Sequence, residues 1–128
     1  MMNIATVTMN PALDVSFEVD RLYPTSKMRG GGERHAPGGG GINVARVFVR
    51  LGGNARCHYL AGGATGAALD WVLDQHQMVK RRIAIVGETR VSTSSIRPED
   101  SPAVIRLRIT GSKARGCAAI ASPSSTPS

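Results

Sequence analysis

A run of glycines leads directly into a segment with helical periodicity. The stretch PGGGGINVARVFVRLGG covers residues 37–53, and its four consecutive glycines come just before Ile42, where the apolar repeat begins. Glycine lets a ligand approach the backbone, and the first turn of a helix leaves N–H groups unpaired. Together with the positive end of the helix dipole, these donors suit an anion or a hydroxylated ligand. Asn43 adds an amide side chain to this turn, which favours a binding site over a flexible linker or a merely tight turn.

Other motifs with well-known chemistry are missing from the sequence. No G-x-G-x-x-G or G-x-x-x-x-G-K spacing occurs, so neither a dinucleotide fingerprint nor a P-loop is predicted. His35, His58 and His76 are far apart in the sequence and lack partners at ligand spacing. We therefore interpret the histidines as ordinary surface or half-buried residues, and we predict no metal site.

Length and charge indicate one modest domain with a mild basic excess. The chain has 128 residues, with 16 Lys and Arg against 9 Asp and Glu. This balance favours anionic partners, from sugar phosphates to nucleic acid, without choosing among them. Two cysteines, Cys57 and Cys117, form no disulfide framework, which fits a reducing cytoplasm. The first residues have neither the basic start of a signal peptide nor an uninterrupted apolar run, so we expect no membrane span.

The order of periodic segments is typical of an α/β domain. The predicted elements are a strand at 3–9, a half-exposed strand at 15–22, a short strand around Lys27–Arg29, a helix at Ile42–Leu51, a strand at 55–63, a helix capped by Thr65, and two strands at 81–87 and 89–96. We interpret the last two strands as a hairpin that turns at Gly87 and Glu88. In the second helix, we expect Asp70 to be solvated.

Apolar spacing predicts which face of each helix is buried. The first helix carries a stripe that is widened by flanking residues, and its members are Ile42, Ala45, Val49, Val44, Phe48 and Leu51. The second helix carries an apolar face formed by Leu69, Val72, Leu73 and His76. Gly52 and Gly53 provide a stop for the first helix.

Four motifs carry a resemblance to a known family. TMNPALDVS, PGGGGINVARVFVRLGG, AGGATG and GETRVS occur in an order and spacing that resemble the PfkB/ribokinase family of sugar kinases, most closely its phosphofructokinase-type branch. The match covers about residues 3–93. It implies the N-terminal part of a ribokinase-like α/β/α sandwich with a small β-sheet lid. It also implies transfer of the γ-phosphoryl group of ATP to a sugar phosphate resembling fructose 6-phosphate, with Mg²⁺, and relatives that are often homodimers.

The resemblance also implies which residues bind the substrate. At matching positions these residues are Asp14, Lys27, Arg29, Gly39, Gly40, Asn43 and Arg90. Asp14 of NPALD would accept hydrogen bonds from sugar hydroxyls, as a carboxylate can for a diol. The two glycines and the asparagine would line the other edge of the sugar. The three cations would hold the phosphate that the substrate already carries.

The catalytic motif of the family is missing. Members carry a G-A-G-D motif with the general base and an anion hole near their C-terminus, and this sequence has no G-A-G-D. Members are also much longer, so the resemblance implies an N-terminal fragment, with residues 1–96 as the kinase-like part. We therefore expect no turnover, no bound ATP or Mg²⁺, and no catalytic residue within the chain.

Residues 97–128 differ in character from the rest of the chain. They end in Ser, Pro, Thr and Ala, and we expect a divergent and largely disordered tail. Members of the family continue here with a P-G-P-x-L element. For suitable codons, reading Ile109–Arg115 one nucleotide later gives Ser-Pro-Gly-Pro-Arg-Leu. We hypothesise a frameshift between about Ser92 and Val104, and a natural divergent terminus is the alternative.

Two further functions remain as alternatives. The chain could be a sugar-phosphate-binding remnant without catalysis. It could also be a basic nucleic-acid-binding protein, although aromatic residues make up only 4% of the chain and the basic residues are dispersed.

Overall fold

The computed structural model describes residues 2–20, 27 and 29–96, which form two three-stranded sheets and two helices. In chain order the elements are β1 (Asn3–Thr8), β2 (Ala12–Glu18), β3 (Gly31–Gly38), α1 (Gly40–Arg50), β4 (Asn54–Ala61), α2 (Gly63–Asp74), β5 (Val79–Ala84) and β6 (Arg90–Ile96). Residues 97–128, predicted as a divergent tail, lie outside the described residues. Neither helix in the described ranges is long and apolar enough to cross a membrane.

The first sheet is parallel and has the strand order β1-β4-β5. Alternate residues of β4, among them Cys57 and Tyr59, point to one face and are at most 5% exposed. They belong to the same apolar cluster as Ile42 of α1 and Leu69 of α2. Both helices therefore cover the same face of this sheet, as expected where parallel strands are joined through helices.

The predicted first helix is confirmed by α1, which begins two residues earlier than expected, at Gly40. Ile42 and Ala45 are fully buried, as the apolar stripe predicted. The prediction for the edges of the stripe was wrong, because Val44 and Leu51 are 55% and 80% exposed. The sheet covers only a narrow strip of the helix. Successive helical residues are rotated by about 100° around the axis, so residues on either side of this strip remain exposed.

The second helix begins at Gly63, so Thr65 lies inside its first turn and is not its N-cap as predicted. Gly63 has a φ of 65°, which glycine adopts easily and which allows the tight turn from β4 into α2. The carboxylate of Glu88 takes the role expected of a cap, since the Thr65 N–H donates to Glu88 Oε2 at 3.4 Å. Negative charge at this helix end is favourable for the helix dipole.

Asp70 was predicted to be solvated, but it connects three elements. It accepts a hydrogen bond from the Tyr59 hydroxyl of β4 at 2.6 Å and forms an ion pair with Arg82 of β5 at 2.6 Å. Burial raises the pKa of Tyr59, and its hydrogen bond to Asp70 raises that pKa further. The helical position of Asp70 suggested exposure, but the neighbouring strands supply both of its partners.

The second sheet has the order β3-β2-β6, with β3 antiparallel and β6 parallel to β2. Leu13 and Val15 are buried against Val72 of α2, while Asp14 on the opposite face is exposed. The half-exposed strand predicted at residues 15–22 is found as β2, but the predicted alternation holds only in part: Val15 is buried, whereas Ser16, Phe17 and Glu18 are all half-buried beside a register shift. This sheet occupies the place of the predicted lid.

The predicted hairpin of the last two strands is wrong. β5 pairs in parallel with β4, whereas β6 pairs in parallel with β2 in the other sheet. The chain crosses between the sheets at Thr89, whose N–H donates to the Gly62 carbonyl at 3.1 Å, while the Gly62 N–H donates to Thr89 Oγ1 at 3.1 Å. This reciprocal pair holds the start of β6 against the end of β4.

The short strand predicted around Lys27–Arg29 is also displaced. The strand that pairs with β2 is Gly31–Gly38, and neither Lys27 nor Arg29 lies in a strand. The first five residues of β3 are exposed, so its side chains show no apolar period. Main-chain pairing with β2 holds this strand in place.

Candidate functional site

The N-terminus of α1 is open to solvent. Its N-cap is Gly39, which has no side chain that could cap the first turn and has a φ of 130°, a value that residues with side chains rarely adopt. At Gly40, a β-carbon would meet no atom within 4 Å. The Asn43 side chain in the same turn is exposed. This helix end therefore presents N–H donors and positive potential on a side that a ligand can reach.

The carboxylate of Asp14 lies beside the glycine run. Asp14 sits in the middle of β2, opposite Ala36 of β3 and Ser92 of β6. A β-carbon at Gly38 would lie 2.6 Å from Asp14 Oδ2, so only a glycine leaves room for the carboxylate there. The structure thus brings Asp14 and the start of α1 together, as the motif resemblance suggested.

Thr8 is a neighbour of this site that the sequence did not indicate. It ends β1, is 5% exposed, and its Oγ1 has no hydrogen-bond partner among the described residues. A β-carbon at Gly41 would lie 2.5 Å from Thr8 Oγ1. A buried hydroxyl without a partner is uncommon, and here it lies against the first turn of α1. Its only sequence signal is its position two residues before Asn10 and Pro11, where the predicted first strand ends.

Arg90 lies near Asp14 in the register of the second sheet. It pairs with Ala12 of β2, and its Nε donates to the Asn10 carbonyl at 3.4 Å. Ser92, two residues further, pairs with Asp14. Residues two apart in a strand share a face, so Arg90 and Ser92 lie on the same face as Asp14. Only the pairing of β6 with β2 reveals the place of Ser92.

Lys27 and Arg29 are less closely tied to the site. Both are exposed and lie outside the helices and strands. The described hydrogen bonds and ion pairs join neither residue to Asp14 or to the glycine run. The structure therefore brings Asp14, Gly39, Gly40, Asn43 and Arg90 to one region, and their roles in binding remain predictions.

The residues described here do not provide a metal site. No three His, Cys, Asp or Glu side chains within residues 2–20, 27 and 29–96 are grouped so that they could hold a metal ion. Mg²⁺ is usually held by one or two carboxylates together with substrate phosphates and water, so this finding concerns only ions held by side chains alone, and no step of phosphoryl transfer is assigned to these residues.

Known proteins resemble this chain in sequence and in structure, although no family model matches it. The chain is 49% identical over 89 residues to the ATP-dependent 6-phosphofructokinase isozyme 2 of Mycobacterium tuberculosis, a match that covers 70% of this chain and 26% of the relative. It is 46% identical over 69 residues to the isozyme of the same name from Escherichia coli K12, covering 54% of this chain and 22% of the relative.

The crystal structure of E. coli phosphofructokinase-2 in complex with fructose-6-phosphate has a TM-score of 0.70 and 37% identity, over 74% of this chain and 31% of the other. A tetrameric inhibited form of the same enzyme matches equally well, with a TM-score of 0.70. The chain spans less than a third of the length of each of these relatives. These findings confirm the resemblance to the phosphofructokinase-type branch of the PfkB/ribokinase family over the matched part of the chain.

Proposed function

We propose that this chain forms the sugar-phosphate-binding part of an ATP-dependent sugar-phosphate kinase of the cytoplasm, with a substrate such as fructose 6-phosphate. The observation that carries the proposal is the carboxylate of Asp14 beside Gly38, next to the open N-terminus of α1 at Gly40. The E. coli relative that is described in complex with fructose-6-phosphate supports the choice of substrate.

Each group in this region has a distinct role in the proposal. The carboxylate of Asp14 accepts hydrogen bonds from sugar hydroxyls, and it can accept from two at once. The N–H groups of the first turn of α1 donate to the ligand on its other side, helped by the helix dipole. Arg90, on the same face of the second sheet, offers a planar guanidinium to phosphate oxygens. Lys27 and Arg29 contribute further positive charge to the same phosphate.

We further propose that these 128 residues bind the sugar phosphate without phosphorylating it. Phosphoryl transfer depends on positioning of the reactants and on stabilisation of charge. When bound, ATP supplies the phosphoryl group and Mg²⁺ neutralises its charge. The sequence lacks the G-A-G-D motif that would provide the base. Binding is therefore the function that the residues of this chain can perform.

Calorimetric titration of the full chain with fructose 6-phosphate tests binding. We expect measurable heat for the unchanged chain and at least about tenfold weaker binding for Asp14→Ala, because hydrogen bonds to a charged group are lost. Asp20→Ala is the matched control, since Asp20 is also an exposed carboxylate but lies beyond the end of β2. Equal binding by both variants would refute the role of Asp14.

Gly40→Ala tests whether the ligand approaches the backbone of α1. The added methyl group meets no atom of the protein, so the fold should tolerate it. It would, however, stand between the ligand and the first-turn N–H groups, and we expect weaker binding without loss of structure.

A separate assay with labelled ATP and fructose 6-phosphate should yield no phosphorylated sugar, and any turnover above the uncatalysed background would contradict the proposed lack of catalysis.

A further inference from the structure

A cleft opens between the second half of α1 and the segment that follows α2. Its volume is about 260 Å³, and it is lined by Arg46, Val49, Arg50, Gln75, His76 and Gln77. Arg46 and Arg50 are one helical turn apart and so share a face of α1. The cleft is formed by a part of α1 other than the glycine end that contributes to the proposed sugar site.

No carboxylate from the described part of the chain lines this cleft, although Asp14 lies close enough to act on the charge of Arg46. Among the described residues, neither Arg46 nor Arg50 forms an ion pair with Asp or Glu. The guanidinium of Arg46 makes one hydrogen bond, from Nη1 to the Pro37 carbonyl at 3.4 Å, while its Nε is buried without a partner. The buried Nε is out of reach of the cleft, so an anion there would meet the guanidinium through its other N–H groups and balance its charge.

The titration behaviour of His76 agrees with this excess of positive charge. Burial lowers the pKa of His76, and the charges of Arg46 and Arg50 lower it further. Burial and the charge of Arg50 also lower the pKa of Arg46, while Asp14 acts in the opposite direction. The three side chains therefore lie close enough to repel one another when all are charged.

We propose that this cleft is a second anion site, which binds the phosphate group of a small molecule through Arg46 and Arg50. Guanidinium groups match phosphate oxygens with paired N–H donors, and the amides of Gln75 and Gln77 provide neutral donors at the rim. A cleft of about 260 Å³ is large enough for a phosphate group with a small organic part. The residues that line this cleft include neither Asp14 nor Arg90, so a substrate phosphate held by Arg90 would not occupy it, although Asp14 lies close enough to act on the charge of Arg46.

The proposal is tested by titrating the full chain with inorganic phosphate at constant ionic strength and following the NMR signals of the histidine rings. The signal of His76 is identified by its loss in His76→Gln. We expect it to shift with saturable dependence on phosphate, and we expect Arg50→Gln to weaken this binding about tenfold or more. Binding is the chosen readout because a charge in the last turn of α1 also affects helix stability.

Two matched variants separate a specific site from general attraction. Arg56→Gln removes the same charge from an exposed position of β4, and Arg90→Gln removes it from the proposed sugar site. Both should leave the response of His76 to phosphate unchanged within about twofold. An unsaturable response, or an equal loss in all three arginine variants, would overturn the proposal. Unchanged affinity in Arg50→Gln would overturn it as well.

Discussion

Replacing Gly39 by alanine introduces two separate costs at the start of α1. Its φ of 130° lies in a region that residues with a β-carbon avoid, and holding alanine there costs about 1–3 kcal/mol. The new β-carbon would also lie 2.6 Å from Thr8 Cγ2 and 3.4 Å from Pro11 Cα. Relieving such an overlap costs about 1–3 kcal/mol more. We therefore expect Gly39→Ala to lower the free energy of unfolding by about 2–6 kcal/mol.

Gly40→Ala is the matched control for this prediction. The neighbouring glycine is the first residue of α1, has no positive φ, and borders open space. Alanine there should change stability by less than about 1 kcal/mol, in the stabilising direction. Urea denaturation of the full chain, followed by far-UV circular dichroism, compares the two variants. If both unfold at the same urea concentration, neither the backbone strain nor the contact with Thr8 has the energetic weight assigned to it.

Three further predictions concern the core and its charges. Leu69→Ala should cost about 2–5 kcal/mol because Leu69 is fully buried, whereas Leu51→Ala, at a position that is 80% exposed, should change the urea midpoint little. Tyr59→Phe should cost about 1.5–3 kcal/mol because it removes the hydrogen bond to the Asp70 carboxylate, and an unchanged free energy of unfolding would show that this bond is worth nothing. Because burial and two arginines of α1 lower the pKa of His76 from its usual 6.5, the unfolded chain binds this proton more readily. Stability should therefore fall as the pH drops below 6.5, and His76→Gln should make that fall less steep; identical pH profiles for the two proteins would contradict the assignment.

The sequence predicted the elements whose periodicity reflects burial on one face. The helix that contains Ile42 was found because apolar side chains repeat there at the helical period. The strand at residues 3–9 was found by its alternation and its β-branched residues, although its less exposed face carries Ile4, Thr6 and Thr8. β3 was misplaced because most of its side chains are exposed and main-chain pairing with β2 holds it. The partners of β5 and β6 could not be predicted, since periodicity indicates a strand and carries no information about its neighbour.

Only the residues of the site that belong to sequence motifs were predictable. Asp14 and the glycine run were found by resemblance, and the structure shows why they belong together, with Gly38 leaving room for the carboxylate. Thr8 and Ser92 were missed because their place depends on contacts across the fold: Thr8 packs against the start of α1, and Ser92 faces Asp14 through the pairing of β6. Short polar residues of this kind carry no distinctive signal in the sequence alone.

The reciprocal hydrogen bonds between Gly62 and Thr89 have a consequence for the order of folding. They fix the point at which the chain enters β6, and β6 in turn pairs with β2 from the far end of the described sequence. We therefore expect the β4–α2 turn to form before β6 finds its register. The surface that displays Asp14 should be completed late in folding, after a nucleus built from α1, β4 and α2.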